Sequence, residues 1–396
     1  MNSRVMIVLV IDGLRARSLG AYGNTSYETP ALDYLASESL VFDRVLGEST
    51  NLSDVYDALW SARHALSPLA SPSRSLIDEL TEQGYLCHLV TDDPSVAELP
   101  HCEAFEHVTL LELEATQPAA EVFDTAMGLT IEAAADVLGE WSAEYEQPRL
   151  LWIHLRGMTG PWDAPTELAE SLRDEDDPEL APSIEPAKGE IAAGDAGADE
   201  AFLAGCRYAV QVMALDRSLG ALDGLLAELW PELPVTLVLA GARGYALGEH
   251  GQLGITGPAY RELFHVPLMV RSPEIAPLRR HAGLVQTSDL YQLVSHLAKG
   301  QALELVERTV AAGVSESSRY VETDEWAWVT TAGGEAAELY VQPDDLWQAN
   351  DVASLCPSEL EAFAVLSQSI DAVIAEGEAW HRLELPEVDL HAPPDS

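Results

Sequence analysis

Lysine is almost missing from this chain. Of 396 residues only Lys188 and Lys299 are lysines, and 21 basic side chains face 66 acidic ones, for a formal net charge of −45. Such a surface repels nucleic acid, anionic membranes and polyanionic sugars. Cysteine is also scarce: Cys87, Cys102, Cys206 and Cys356 offer neither a C-x-x-C pair nor a disulfide-like spacing, which fits reduced thiols inside a cell. The apolar run Val5 to Ile11 is too short to span a bilayer, and no secretory segment stands before it. The expectation is a cytoplasmic protein with no nucleic-acid and no membrane partner.

What is present is enough apolar material for a large core, 47% of the side chains, most simply one large domain and a smaller one. Short apolar runs at Val5–Ile11, Leu86–Val90, Leu150–Leu155 and Val235–Ala240 read as buried strands. Helical spacing of apolar residues runs through Pro30–Ser39, Ser73–Gln83, Ala119–Glu144, Ala204–Leu229 and Ser288–Ala298. Their alternation predicts an α/β domain with a mostly parallel sheet, in which ligands sit at the carboxyl ends of strands. Residues 166–199, rich in Asp, Glu, Pro, Gly and Ala, read as a mobile acidic surface excursion with little core. After about residue 315 the pattern changes to short strands and turns followed by a helix from Pro357 to Glu376. The predicted division is therefore 1–314 and 315–396.

Several stretches resemble the sulfatase family of the alkaline-phosphatase-like superfamily. They are the opening VMIVLVIDGLRARSLGAYG with ETPALDYLASESLVF, the strand and loop LLWIHLRGMTGPWDAP, the long VTLVLAGARGYALGEHGQLGITGPAYRELFHVPLMVRSPE, and the closing ELYVQPDDLWQANDVA. The likeness runs from Val5 to about Ile374 in the family's order. It implies a three-layer α/β sandwich with a small C-terminal α+β subdomain, and an active site at strand ends.

Hydrolysis of a sulfate or phosphate ester calls for a divalent cation on carboxylates, cationic groups around the anion and an activated nucleophile. The resemblance places metal ligands at Asp12, Gly13, Ala242 and Arg243, of which only Asp12 is a carboxylate. The nucleophile position becomes Leu52, with Thr50 and Ser53 as fallback hydroxyls, and Tyr56 replaces the arginine of the family's nucleophile motif. The anion-site histidine and lysine become Thr159 and Ile255, and the Asp two residues before the former becomes Gly157. His154 reads as a packed core residue, and Asp92 and Asp93 stand where an anion-binding run belongs. Ala70-Ser71-Pro72-Ser73-Arg74 mimics the nucleophile motif but lies too far downstream and reads as a turn opening a helix.

The sequence therefore predicts a sulfatase-like pseudoenzyme, with no catalytic residue and no bound metal, acting as a binding, regulatory or scaffolding protein toward a protein partner. The alternative is a Ca- or Mg-dependent ester hydrolase with relocated ligands among Asp12, Asp92, Asp93 and His88. In the first reading Arg243 turns inward to pair with Asp12, because a buried lone carboxylate needs a donor.

Overall fold

The computed structural model describes residues 5–68, 74–143, 147–180, 183–192, 194–233, 235–301, 303, 305, 308–316, 318–330 and 336–376. Its strands are, in chain order, β1 Val5–Ile11, β2 Leu40–Leu46, β3 Leu86–Thr91, β4 His107–Leu110, β5 Arg149–Leu155, β6 Gly189–Glu190, β7 Val235–Gly241, β8 Ala246–Leu247, β9 Gln252–Gly254, β10 His265–Val266, β11 Leu268–Arg271, β12 Arg279–Gln286, β13 Ala311–Val314, β14 Arg319–Glu322, β15 Trp326–Thr330 and β16 Ala337–Val341. The helices are α1 Pro30–Ser37, α2 Leu52–Ser61, α3 Leu76–Glu82, α4 Pro94–Ala97, α5 Ala126–Ala143, α6 Thr166–Glu170, α7 Asp195–Leu229, α8 Arg261–Phe264, α9 Asp289–Lys299 and α10 Pro357–Ala375.

Strand β1 lies at the centre of a nine-stranded sheet ordered β10-β2-β11-β7-β1-β5-β3-β4, with β12 alongside β2. Its neighbours β5 and β7 are parallel to it, and the antiparallel members are β10 and β11. The side chains of β1 alternate between two cores. Ile7, Leu9 and Ile11 pack with α1, α5 and α7, whereas Met6, Val8 and Val10 pack with α2, α3 and α9. A strand covered on both faces has no polar side, which is why Val5–Ile11 is apolar throughout and buried throughout.

A second sheet, β13-β14-β15-β16, is antiparallel and covered by α10 through Phe363, Leu366 and Ile370. It joins the large sheet where Val314 N–H donates to Glu48 O at 2.9 Å and Tyr320 Oη donates to Gly47 O at 2.6 Å. A three-stranded ribbon, β6-β9-β8, ties residues 189–190 to the loops after β7. The fold is thus the alkaline-phosphatase-like α/β sandwich with a small C-terminal α+β part.

Two expectations shift. The excursion 166–199 carries order of its own: Leu168 and Ala169 on α6 are buried against Val210 and Ala214, residues 189–190 pair with β9, and α7 begins at Asp195. Composition hid this because two apolar residues at helical spacing suffice to anchor an acidic stretch, while Asp174, Glu175 and Asp176 stay exposed. Helix α5 starts at Ala126, later than expected, since Thr125 Oγ1 accepts from Gly128 N–H at 3.0 Å and caps it there. The stretch Ala70–Ser73 of the misleading motif lies outside the described residues. Helix α3 just beyond it is opened by a capping box between Ser75 and Asp78.

Candidate functional site

The parallel strands bring their carboxyl ends together. Ile11 lies level with Leu155 on β5 and Gly241 on β7, so Asp12, Arg156 and Ala242–Arg243 emerge side by side. Backbone bonds fix the level: Asp12 N–H donates to Leu155 O at 3.0 Å, Ala242 N–H to Ile11 O at 2.9 Å and Met158 N–H to Asp12 O at 2.8 Å. Asp92 and Asp93 follow β3, and Thr50 comes from the loop before α2. This is where a parallel sheet places ligands.

Asp12 is fully buried. Its Oδ1 accepts from Gly13 N–H at 3.0 Å and from Arg243 Nε at 2.8 Å, while Oδ2 accepts from Arg243 Nη2 and faces Thr159 Oγ1 at 2.9 Å. The third guanidinium nitrogen, Nη1, donates to Thr50 O at 2.7 Å. Arg243 is 8% exposed. Burial alone would lower its pKa, but the Asp12 carboxylate outweighs that and holds it above its ordinary value. A carboxylate offers about four lone-pair directions, so the contacts on Asp12 use essentially all of them.

A second buried chain runs beside the first. Tyr56 Oη lies 2.7 Å from His154 Nδ1, and His154 Nε2 lies 3.6 Å from Asp93 Oδ2, an electrostatic contact longer than a hydrogen bond. Burial raises the Tyr56 pKa well above the usual phenol range, so a neutral hydroxyl faces the imidazole. Burial of Asp93 opposes its charge, yet His154 and the two bonds from Ser95 win and hold its pKa low. Asp92 accepts from Arg156 N–H at 2.8 Å and from Arg156 Nε at 3.1 Å.

Of the residues singled out by sequence, the folded chain gathers Asp12, Gly13, Arg243, Thr159 and the Thr50 carbonyl at one point. Ala242 is buried in the core beside them, Leu52 starts α2 packed against the Met6 core, and Ile255 packs on the edge of the other core. Ser53 is exposed, its N–H bonded to the Asn51 cap. His88 is engaged elsewhere, 2.9 Å from Thr109 Oγ1 and in tilted ring contacts with His107 and Trp141, so the relocated ligand set is not assembled. Among the described residues no group of three or more His, Cys, Asp or Glu could hold a metal ion.

Sequence reasoning missed the Tyr56–His154–Asp93 chain and Tyr208. Tyr208 on α7 donates to Gly13 O at 2.8 Å and accepts from Arg15 N–H at 3.1 Å, fixing the turn after β1. The signal available for the chain was Tyr56 itself, a phenol where the family has an arginine. Two glycines belong to the scaffold. A Cβ on Gly244 would sit 2.0 Å from Glu262 O, and one on Gly157, at φ +53, would sit 2.6 Å from Asp12 O. That left-handed turn is what brings Thr159 to Asp12.

The sulfatase family model matches residues 4–300. This chain belongs to the sulfatase family. Solved structures agree in fold. The phosphonate monoester hydrolase of Agrobacterium radiobacter superposes with a TM-score of 0.72 at 16% identity, covering 94% of this chain and 96% of that one. The phosphonate monoester hydrolase from Silicibacter pomeroyi gives 0.67 at 15%, covering 93% and 94%. A third, solved in complex with its substrate D-glucosamine-2-N,6-O-disulfate, gives 0.72 at 14%, covering 97% and 100%. Comparison with curated protein sequences gave no match.

Membership corrects one expectation. Sulfatases and phosphonate monoester hydrolases are metal-dependent enzymes that use Ca or Mg, so the expectation of no metal cofactor, read from the substituted ligand positions, does not stand against the family assignment. At the family's cation position, however, the residues of this chain do not fit such an ion. A hard cation wants several oxygen ligands, and the one carboxylate there is committed to a guanidinium. Among the described residues no helix is long and apolar enough to cross a membrane.

Proposed function

We propose that this sulfatase-family chain has given up hydrolysis of sulfate and phosphate esters at the Asp12 position and works by binding, as a regulatory or scaffolding protein toward a protein partner. The observation that carries this is the Arg243 guanidinium on Asp12, buried and held from its other side by Thr50 O. An ester entering there meets no free carboxylate, and the nucleophile position is the alkyl chain of Leu52. A permanently charged guanidinium also repels a divalent cation from the same place. The four buried thiols suit a reducing compartment, and the acidic surface disfavours nucleic acid and anionic membranes as partners.

The test is a hydrolysis assay on the purified chain with Ca or Mg supplied, using 4-nitrophenyl sulfate, 4-nitrophenyl phosphate and a phenyl phosphonate monoester. The expected result is no turnover above the protein-free rate with any of the three. Turnover that disappears in Asp12→Ala would overturn the reading.

A further inference from the structure

Just beyond β8, His250 ties the large sandwich to the C-terminal part. Its Nδ1 lies 2.9 Å from Glu262 Oε1 on α8, and its Nε2 lies 2.9 Å from Gln348 O in the turn between β16 and α10. The Tyr260 ring stacks on the imidazole, with centroids 3.6 Å apart and planes 8° from parallel. Gln348 is 3% exposed, and its Oε1 accepts from Arg261 N–H at 2.7 Å, so the backbone and the side chain of one residue are both held by the sandwich. His250 and Gln348 each have φ of +51. Side chains disfavour that left-handed backbone, and it persists where surrounding contacts fix it.

The partners decide the protonation state of the ring. A backbone carbonyl only accepts, and so does an ionised carboxylate, so both ring nitrogens must carry hydrogen for both contacts to be bonds. That is the imidazolium. A neutral ring has one N–H, and its bare nitrogen would face an acceptor. The charged groups around the ring favour the cation: Glu262 comes from α8, and Glu338 from β16 accepts from Tyr260 Oη and Tyr340 Oη, each at 2.7 Å. Glu249, next in the chain, pairs with Arg15, and Arg261 on α8 pairs with Glu322. Burial opposes charge on the ring, but the bonds to Glu262 and Gln348 O outweigh it and hold the His250 pKa above its ordinary value. The side chain keeps 18% of its surface accessible, which lets it exchange protons with solvent.

We propose that His250 is a proton-dependent latch: as an imidazolium it clamps the turn 344–350 onto the sandwich, and on losing one proton it lets the turn go. The turn covers cationic groups. Trp347, beside Gln348, lies against the Arg17 guanidinium, whose Cζ is 3.7 Å from the ring centroid. Leu346 and Trp347 line one small pocket together with Arg15, Arg17 and Arg261. Release lifts Trp347 from Arg17 and opens the way to these arginines just beyond β1. The latch is complete below the ordinary histidine value of about 6.5 and is lost as pH rises through the raised value of the folded state. It does not depend on the reading of the Asp12 centre, since a hydrolase and a binding protein would carry it alike.

Because global stability also varies with pH, the test reads the latch locally, on the full chain. Nitrogen-15 NMR of the histidine side chains should show one imidazole, assigned by its disappearance in His250→Gln, that is protonated on both nitrogens and titrates above the ordinary histidine value. Hydrogen exchange of the amides in 344–350, corrected for the intrinsic effect of pH, should lose protection about tenfold between about pH 6 and pH 9. His250→Gln should show that loss already at pH 6 and no further change, because its side chain does not titrate. Glu262→Gln keeps an acceptor but removes the charge, and should move the midpoint down by about one pH unit. Should His250→Gln fail to fold, the parent and Glu262→Gln decide, with the imidazole assigned by its shift in the latter. A His250 ring with a single N–H at pH 6, exchange in 344–350 that ignores pH, or a midpoint that Glu262→Gln leaves in place would each overturn the proposal.

Discussion

Truncating Arg243 to alanine would leave the Asp12 carboxylate buried with only Gly13 N–H and the Thr159 hydroxyl beside it. Breaking a buried pair from one side costs about 3–5 kcal/mol, because the surviving charge keeps its desolvation penalty. Urea unfolding of Arg243→Ala should show a loss of that size. The double variant Asp12→Leu with Arg243→Met should lose less than Arg243→Ala alone, since it removes both charges together. A loss of about 1 kcal/mol or less in Arg243→Ala would mean the pair behaves as a surface one, against the burial described above. The same residues show what was readable in advance. The pairing of Arg243 with Asp12 followed from two substitutions at neighbouring strand ends, but its engagement of the Thr50 carbonyl did not, because that contact is made by backbone and leaves no mark on side-chain identity.

Several elements meet just after β2, and the junction contains an ionisable group that the sequence does not single out. Glu48 is fully buried, with Ser288 N–H donating at 3.1 Å from the start of α9 and Ala65 N–H at 3.3 Å. Burial pushes its pKa up to about 7 from 4.5, against the opposing bonds from Ser288 and the charge of Arg308. The folded state therefore holds a proton that the unfolded state has released between those two values. The stabilisation is complete below the unfolded pKa and declines as pH rises through the folded one. Between pH 5 and pH 8 the parent should lose roughly 2–3 kcal/mol relative to Glu48→Gln, read as the difference in urea stability at the two pH values. A pH-independent difference would place the Glu48 pKa at its ordinary value. The neighbouring His64, whose pKa burial lowers to about 3, adds stability as pH rises through the ordinary histidine value, and that opposing contribution drops out of the comparison because both proteins carry it.

For the whole molecule the dominant fact is charge. Of 66 acidic residues most have no basic partner to meet, since only 21 basic residues exist, and several of those are committed to internal pairs such as Arg243 with Asp12, Arg15 with Glu249 and Arg261 with Glu322. Self-repulsion over the surface should be relieved by salt, because the Debye length shrinks from about 30 Å at 0.01 M to about 3 Å at 1 M. Raising sodium chloride over that range should raise the thermal midpoint by several degrees. A fall would show that surface ion pairs outweigh the repulsion. The buried pairs are screened little, so Arg243→Ala should show a similar salt dependence to the parent.

The sequence by itself determined the covered strands and the fold they build. Val5–Ile11 read as a short buried strand, which the structure covers on both faces, and its order with the later motifs carried the resemblance that named the sandwich. The identities of Gly13, Ala242 and Arg243 were likewise legible in advance, and their reading as substituted metal positions rests on the resemblance alone. Tertiary structure alone decided which groups meet. His154 lies on a strand, Tyr56 on a helix and Asp93 in a loop, and only the packing of α2 over the sheet joins them. Likewise, acidic composition argued against order in residues 166–199, whereas the burial of Leu168 and Ala169 against α7 anchors that stretch. Composition averages over a segment, but burial is settled by the few apolar side chains that find a face to cover.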